Sequence, residues 1–354
     1  MGLFSDRLAP DQTLFRDEHS LNYEFLPKEL PFREDQQHFL ADCLKPLLQG
    51  RSGRNVLIHG TPGVGKTAAS RAVLRELEDV SDVETVYINC WQHNTTFRVL
   101  VQLCDAFGYR LVQNKKTDEL MDIVERNLNK KPWVIVFDEI DKAEDSDFLY
   151  FLLEKIFKKT IILITNYEEW LAELDERIKS RLLAEVIEFK AYSESEVRAI
   201  LAKRLPYAFQ DNVWEPDSLA LIAKVTAQHG DIRTGLYLLR EAGTIAEEKF
   251  QMRVSVEHAR TAIDKLEKFT IKKTTSLADE EQTILKLAQA NADAKIGDLF
   301  RTYQEKGGQA SYKTFQRKIN HLAENKFISV DKVTGGKDGT TTIIKPYNKK
   351  LTDY

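Results

Sequence analysis

The chain of 354 residues is 42% hydrophobic and 30% charged with a net charge of −4, which describes a globular protein and excludes a collagen-like or disordered one. Its length suits two or three domains at roughly 100–200 residues each. No run of about 18 apolar residues, no secretory-type start and no CxxC pair among Cys43, Cys90 and Cys104 together predict a cytoplasmic protein without a membrane partner.

Short β-branched runs alternate with longer helical patterns in the first half of the chain. Strands are expected at Val56–Ile58, Thr85–Asn89, Trp133–Phe137, Ile161–Thr165 and Glu185–Phe189. Four are almost continuously apolar, as strands buried on both faces of a parallel sheet must be. Between the first two, Ala69, Val73 and Leu77 recur every fourth residue, which predicts a helix over 66–77. Strand and helix in alternation give an α/β layered fold.

The first strand runs directly into Gly60-Thr61-Pro62-Gly63-Val64-Gly65-Lys66-Thr67, a full match to the phosphate-binding P-loop. Glycines let backbone N–H groups wrap a phosphate, and the helix that follows adds positive potential at its N-terminus. Lys66 is placed to reach the β- and γ-phosphates of ATP, and the Thr67 hydroxyl to bind Mg²⁺. The third strand delivers Asp138-Glu139 to its carboxyl end, where open α/β sheets bind ligands. Asp138 would hold Mg²⁺ through water, and Glu139 would orient or deprotonate the attacking water. Asp141 reads as structural. Asn166 follows the fourth strand, either positioning that water or closing an ordinary turn.

After Lys190 the pattern turns all-helical. Ser193 followed by Glu196 matches a capping box for a helix over 197–205, and helices continue to about Phe269. The polar stretch from Ile271 to Ser276 reads as a linker. Beyond it, helices are expected at Glu280–Ala290, at Lys295–Gln304 and from Ser311, followed by strands at Phe327–Val330 and Thr341–Ile344 around a glycine-rich tip, Thr334 to Gly339. Three helices and a hairpin outline a winged helix. From Ile271 to Tyr354, 15 Lys/Arg face 10 Asp/Glu, a net of +5 against −9 for the rest, so a mildly basic tail joins an acidic body. On the last of these helices Phe315, Ile319 and Leu322 form an apolar face. Lys313, Gln316, Arg317 and Asn320 fall on another side, with Tyr312 at the start and Lys337 at the tip. Such residues suit phosphate and base-edge contacts in duplex DNA, although winged helices also dock proteins.

These elements in this order resemble the AAA+ ATPases, and more narrowly the archaeal replication-origin initiators. That family is similar to the large subunit of the eukaryotic origin recognition complex and to the associated helicase-loading factor. The resemblance covers nearly the whole chain and implies three domains: a P-loop ATPase base at 1–190, a helical lid at 191–270 and a winged helix at 271–354. It implies that Leu30, Pro31 and Arg33 lie near the adenine. The resemblance implies that either Arg177 or Arg181 is the arginine finger, which would reach a neighbouring copy's γ-phosphate, and that Arg233 is the lid arginine that senses nucleotide in cis. It also implies a DNA-touching helical insertion within 89–131, with Arg98, Arg110, Lys115 and Lys116 as its cations. The implied function is an initiator that binds ATP/ADP and Mg²⁺, recognises double-stranded origin DNA, helps load the replicative helicase and hydrolyses ATP slowly, alone or with other copies on DNA. A signalling ATPase of the STAND type and a transposition-helper ATPase are the competing readings.

Overall fold

The computed structural model of the protein describes residues 13–167, 169–275, 279–291, 294–306, 308, 310–324, 327–333 and 341–346. The chain divides into two compact units, one of residues 22–205 with 230–232 and one of residues 1–21, 206–229 and 233–354.

The first unit is built on five parallel strands, β1 (Val56–His59), β2 (Glu84–Asn89), β3 (Trp133–Asp138), β4 (Lys159–Ile164) and β5 (Glu185–Glu188), in the order β2-β3-β4-β1-β5. Each matches an expected strand to within one or two residues. α1 (Glu34–Leu48) precedes β1, and six helices fill the connections: α2 (Lys66–Val80), α3 (Thr96–Ala106), α4 (Thr117–Leu128), α5 (Asp147–Lys155), α6 (Trp170–Glu173) and α7 (Glu176–Leu182). Side chains alternate across the sheet and split the core in two. Leu57, Ile135, Phe137, Ile161 and Leu163 pack with α3, α4, α5 and α7 on one face, while Val56, Ile58, Val134, Val136, Ile162 and Ile164 pack with α1 and α2 on the other. β3 is buried at all six positions, which is why its sequence is apolar without alternation. The edge strands differ: β2 is half-buried, and β5 leaves Glu185 and Glu188 exposed, where charge discourages pairing with another chain.

α8 (Glu194–Ala208) starts with the expected capping box: the Ser193 N–H donates to Glu196 Oε2 at 2.7 Å, and the Glu196 N–H donates to Ser193 Oγ at 3.3 Å. The second unit continues through α9 (Pro216–His229), α10 (Ile232–Glu248) and α11 (Val256–Thr275). The residues expected as a linker are helical from Ile271 to Thr275, the last turns of α11. Their lack of apolar periodicity suggested a linker, but extending an existing helix adds one hydrogen bond per residue with no new nucleation cost, and lysine is a good helix former.

The basic tail folds as α12 (Asp279–Ala290), α13 (Ile296–Glu305), α14 (Tyr312–Glu324) and a sheet of three antiparallel strands, not two. The third is β6 (Ala294–Lys295), which pairs with β8 (Thr341–Pro346), itself paired with β7 (Ile328–Val333). Two residues carry no readable alternation, so β6 had no signature. Ile284, Leu299, Tyr303, Phe315, Ile319, Leu322 and Ile344 form the core of this part. The expected tip with Lys337 lies outside the described residues.

Candidate functional site

The P-loop adopts the conformation its glycines permit. Gly63 and Gly65 have φ of +76° and +90°, the left-handed region that favours glycine, and Gly65 is the N-cap of α2. Close approach adds a second constraint. A Cβ on Gly63 would lie 1.9 Å from Asp231 Oδ1, and one on Gly65 would lie 2.9 Å from the Tyr192 hydroxyl. The Ile232 N–H also donates to the Gly63 carbonyl at 3.3 Å.

Lys66 is buried inside the loop it ends. Its Nζ donates to Gly60 O at 2.6 Å, Thr61 O at 3.0 Å and Asn166 Oδ1 at 2.9 Å, so the ammonium is held by oxygens. Thr67 Oγ1 donates to Asp138 Oδ2 at 2.8 Å, joining the start of α2 to the end of β3. Asp138 is 6% exposed, and its Oδ1 accepts the Glu139 N–H at 2.9 Å. Glu139 has φ of +55°, a left-handed conformation costing a bulky residue about 1–2 kcal/mol and persisting only where the surroundings impose it. Lys66, Thr67, Asp138 and Asn166 thus converge. A cavity of about 250 Å³ adjoins them, lined by Gly60, Thr61 and Asn166 with His59, Tyr167 and Glu188 among others. A hydroxyl and a carboxylate are hard oxygen donors, which fits Mg²⁺, and the glycine cradle fits the phosphate that would arrive with it.

Three contributors were invisible in the sequence. Tyr87 on β2 donates its hydroxyl to Asp138 Oδ2, and the Arg71 guanidinium sits 4.7 Å from its ring centroid. Burial first, then the Asp138 charge, holds the Tyr87 phenol well above its ordinary pKa. Tyr192 backs Gly65, and burial pushes its phenol up to about 12. Asp231 is 1% exposed against the loop tip. Aromatics in strands and turns are common, so only the fold reveals which of them meet the loop.

Arg33 lies against the P-loop. Its guanidinium is buried, donates to Val64 O at 3.0 Å, Phe32 O at 2.9 Å and Lys190 O at 2.6 Å, and stacks 3.8 Å from the Tyr192 centroid. It holds the P-loop backbone, and burial lowers its pKa from the usual arginine value. Leu30 packs against the α1/α2 side of the core, and Pro31 is half-buried beside Phe32, whose φ is +64°.

The remaining candidates lie on surfaces. On α7, Arg177 bonds Asp175 through Nε and Nη2, both at 3.1 Å, while Arg181 Nε bonds Glu154 at 2.8 Å and its guanidinium lies 4.9 Å from the Tyr150 centroid. Both arginines therefore have local carboxylates. Arg233 stands in the first turn of α10. The stretch 89–131 forms the α3/α4 helix pair, with Arg98 bonded to Asn94 and Lys115 to Glu119.

In the tail, Phe315, Ile319 and Leu322 are fully buried, while Tyr312, Lys313, Gln316, Arg317 and Asn320 are all exposed, as helical spacing predicts. Tyr312 meets the Phe300 ring edge-on at 5.0 Å, which props the start of α14.

Comparison with known proteins now places the chain. The AAA domain family matches residues 49–170, and the Cdc6 AAA+ ATPase-type lid domain matches 198–264. The ORC1-type DNA replication protein 1 of Methanothermobacter thermautotrophicus is 30% identical over 367 residues, 97% of this chain and 96% of that protein. The chain belongs to the ORC1-type replication protein family. The Archaeoglobus fulgidus ORC1-type DNA replication protein 1 is 31% identical over 344 residues, 91% of this chain and 84% of that one. Among solved structures, the Aeropyrum pernix ORC1 protein in complex with DNA is similar at a TM-score of 0.69 and 28% identity, covering 96% and 95% of the two chains. The Aeropyrum pernix ORC2 protein, solved in ADPNP–ADP complexes, shares the fold at a TM-score of 0.70 and 20% identity, covering 95% and 94%. This chain carries an AAA-type P-loop sheet, a Cdc6-type lid and a tail with the helices and strands of a winged helix. Among the described residues, no helix is long and apolar enough to cross a membrane.

Proposed function

We propose that this ORC1-type protein is an ATP-binding replication initiator that recognises duplex origin DNA and helps recruit or load the replicative helicase. The observation that carries the DNA half is α14: a fully buried apolar face and, opposite it, Lys313, Gln316, Arg317 and Asn320 in solvent. Cations suit phosphates, and Arg, Gln and Asn suit bidentate contacts to base edges in a major groove. Family membership favours this reading over a signalling or transposition-helper ATPase. The working division is a base at 1–190, a lid at 191–270 and a DNA-binding head at 271–354.

In the ATPase half, Lys66 would exchange its loop carbonyls for phosphate oxygens, and the glycine N–H groups would bind the β-phosphate. Thr67 and Asp138 would hold Mg²⁺, which when bound neutralises charge on the β- and γ-phosphates. Glu139 would take a proton from the attacking water, giving ADP and phosphate, with Asn166 orienting that water. Arg233 would read the γ-phosphate from the lid, and Arg177 or Arg181 would leave its carboxylate for a neighbouring copy's nucleotide. Turnover is slow if that finger comes only from a partner, so ATP acts chiefly as a switch.

Gel-shift titrations with origin-derived and random duplexes over a range of salt test the reading. The expected result is a log K that falls linearly with log salt and a preference for the origin duplex. Absence of any shift at low salt would refute it.

A further inference from the structure

We propose that Tyr87 is a positioning residue for the divalent-cation site; this rests on the ATPase reading above. Each carboxylate oxygen has about two lone-pair directions. Asp138 Oδ2 accepts from both the Thr67 hydroxyl at 2.8 Å and the Tyr87 hydroxyl, so both directions are filled. Asp138 Oδ1 accepts one N–H, from Glu139 at 2.9 Å, and keeps one direction open. The carboxylate therefore presents a single lone pair, which suits a water on the cation better than direct coordination by both oxygens. Tyr87 makes this selection possible. Without its hydroxyl, one direction on Oδ2 would open, the carboxylate's second, and the carboxylate could rotate.

The fold holds the phenol there independently. In the parallel register Tyr87 lies opposite Val136, two residues before Asp138, and the Arg71 guanidinium from α2 covers its ring. The N–H of Cys90, on the same strand end, donates to Asp138 O at 2.8 Å, so main chain and side chain of Asp138 are both fixed from β2. The ring thus connects the helix that follows the P-loop to the acidic strand end. Thr67 donates its proton to Asp138, so its oxygen's lone pairs are what it would offer to a cation.

The test is Tyr87→Phe, which removes one oxygen and leaves the ring and its packing. Mn²⁺ serves as the cation, followed by electron paramagnetic resonance on the ADP complex, and ADP affinity is measured separately in EDTA. The expected outcome is Mn²⁺ affinity weakened on the order of tenfold, the usual cost of losing an outer-shell partner, with ADP affinity in EDTA unchanged. Unchanged Mn²⁺ affinity overturns the proposal. So does a loss of ADP affinity in EDTA, because the hydroxyl would then support the loop as a whole. Asp138→Asn is the control: if it too leaves Mn²⁺ binding intact while the wild type binds ADP, the metal-site reading fails, and if the wild type binds no ADP, the ATPase reading fails.

Discussion

Lys66 is 7% exposed and its ammonium is held by neutral carbonyl and amide oxygens, so moving a short distance onto a phosphate would add an ionic partner. A charge-assisted hydrogen bond contributes about 1.5–3 kcal/mol, and each 1.4 kcal/mol is about tenfold in affinity. Lys66→Ala should therefore weaken ADP and ATP binding at least about tenfold in a titration with a fluorescent nucleotide analogue. Retained affinity would mean that the loop is not the nucleotide site. The candidate residues picked by type and spacing meet in the fold, where Lys66 bonds Asn166 and Thr67 bonds Asp138. Their supports were not legible in the sequence. Tyr87 looks like any strand aromatic, and its meaning depends on β2 lying beside β3, a neighbour relation that spacing does not encode. Arg33 shows the same limit from the other side. Its string resembles an adenine-side segment, and only the fold shows that its guanidinium bonds the carbonyls of Val64, Phe32 and Lys190.

Between elements, the junction of α5 and β4 carries a pH dependence. Lys159 Nζ donates to Leu153 O at 3.1 Å and Ile156 O at 2.5 Å, satisfying carbonyls at the end of α5, yet burial lowers its pKa from 10.5 to about 8. As pH rises through about 8 the folded protein releases this proton while the unfolded chain keeps its own until about 10.5. The unfolded state then binds more protons, so stability rises with pH across that window, by at most ~3 kcal/mol. Urea denaturation at several pH values should show this slope in the wild type and a flatter one in Lys159→Met. Equal slopes would show that burial of Lys159 is not its source. At this scale the sequence was a good guide wherever burial dictated composition, as in β3 and β4, and in the α8 capping box. It failed where an element needs no apolar pattern. The end of α11 is helix by continuation, and β6 is strand only because β8 lies alongside.

For the whole molecule, the separation of charge is the feature with the largest consequence. A body of net −9 repels a phosphate backbone, so the +5 tail must supply the attraction, and within it α14 turns Lys313 and Arg317 to solvent. The exposed residues of that helix divide by chemistry. Lys313 offers a point charge that suits a phosphate, whereas the planar fork of Arg317 suits the two-pronged contact that reads guanine. Arg317→Ala should therefore cost about 1–3 kcal/mol against the origin duplex and less against a random one, narrowing the gap between them. Lys313→Ala should weaken both duplexes alike and reduce the salt slope by about one. Neither change should alter ADP affinity, because both residues lie on the surface of a fold whose core is Phe315, Ile319 and Leu322. Phe315→Ala serves as the control for a head that no longer folds, and it should abolish binding to every duplex. If Arg317→Ala left the gel shift and the preference between duplexes unchanged while Phe315→Ala removed both, the head would bind DNA through another surface, and α14 would lose its assignment as the reading helix.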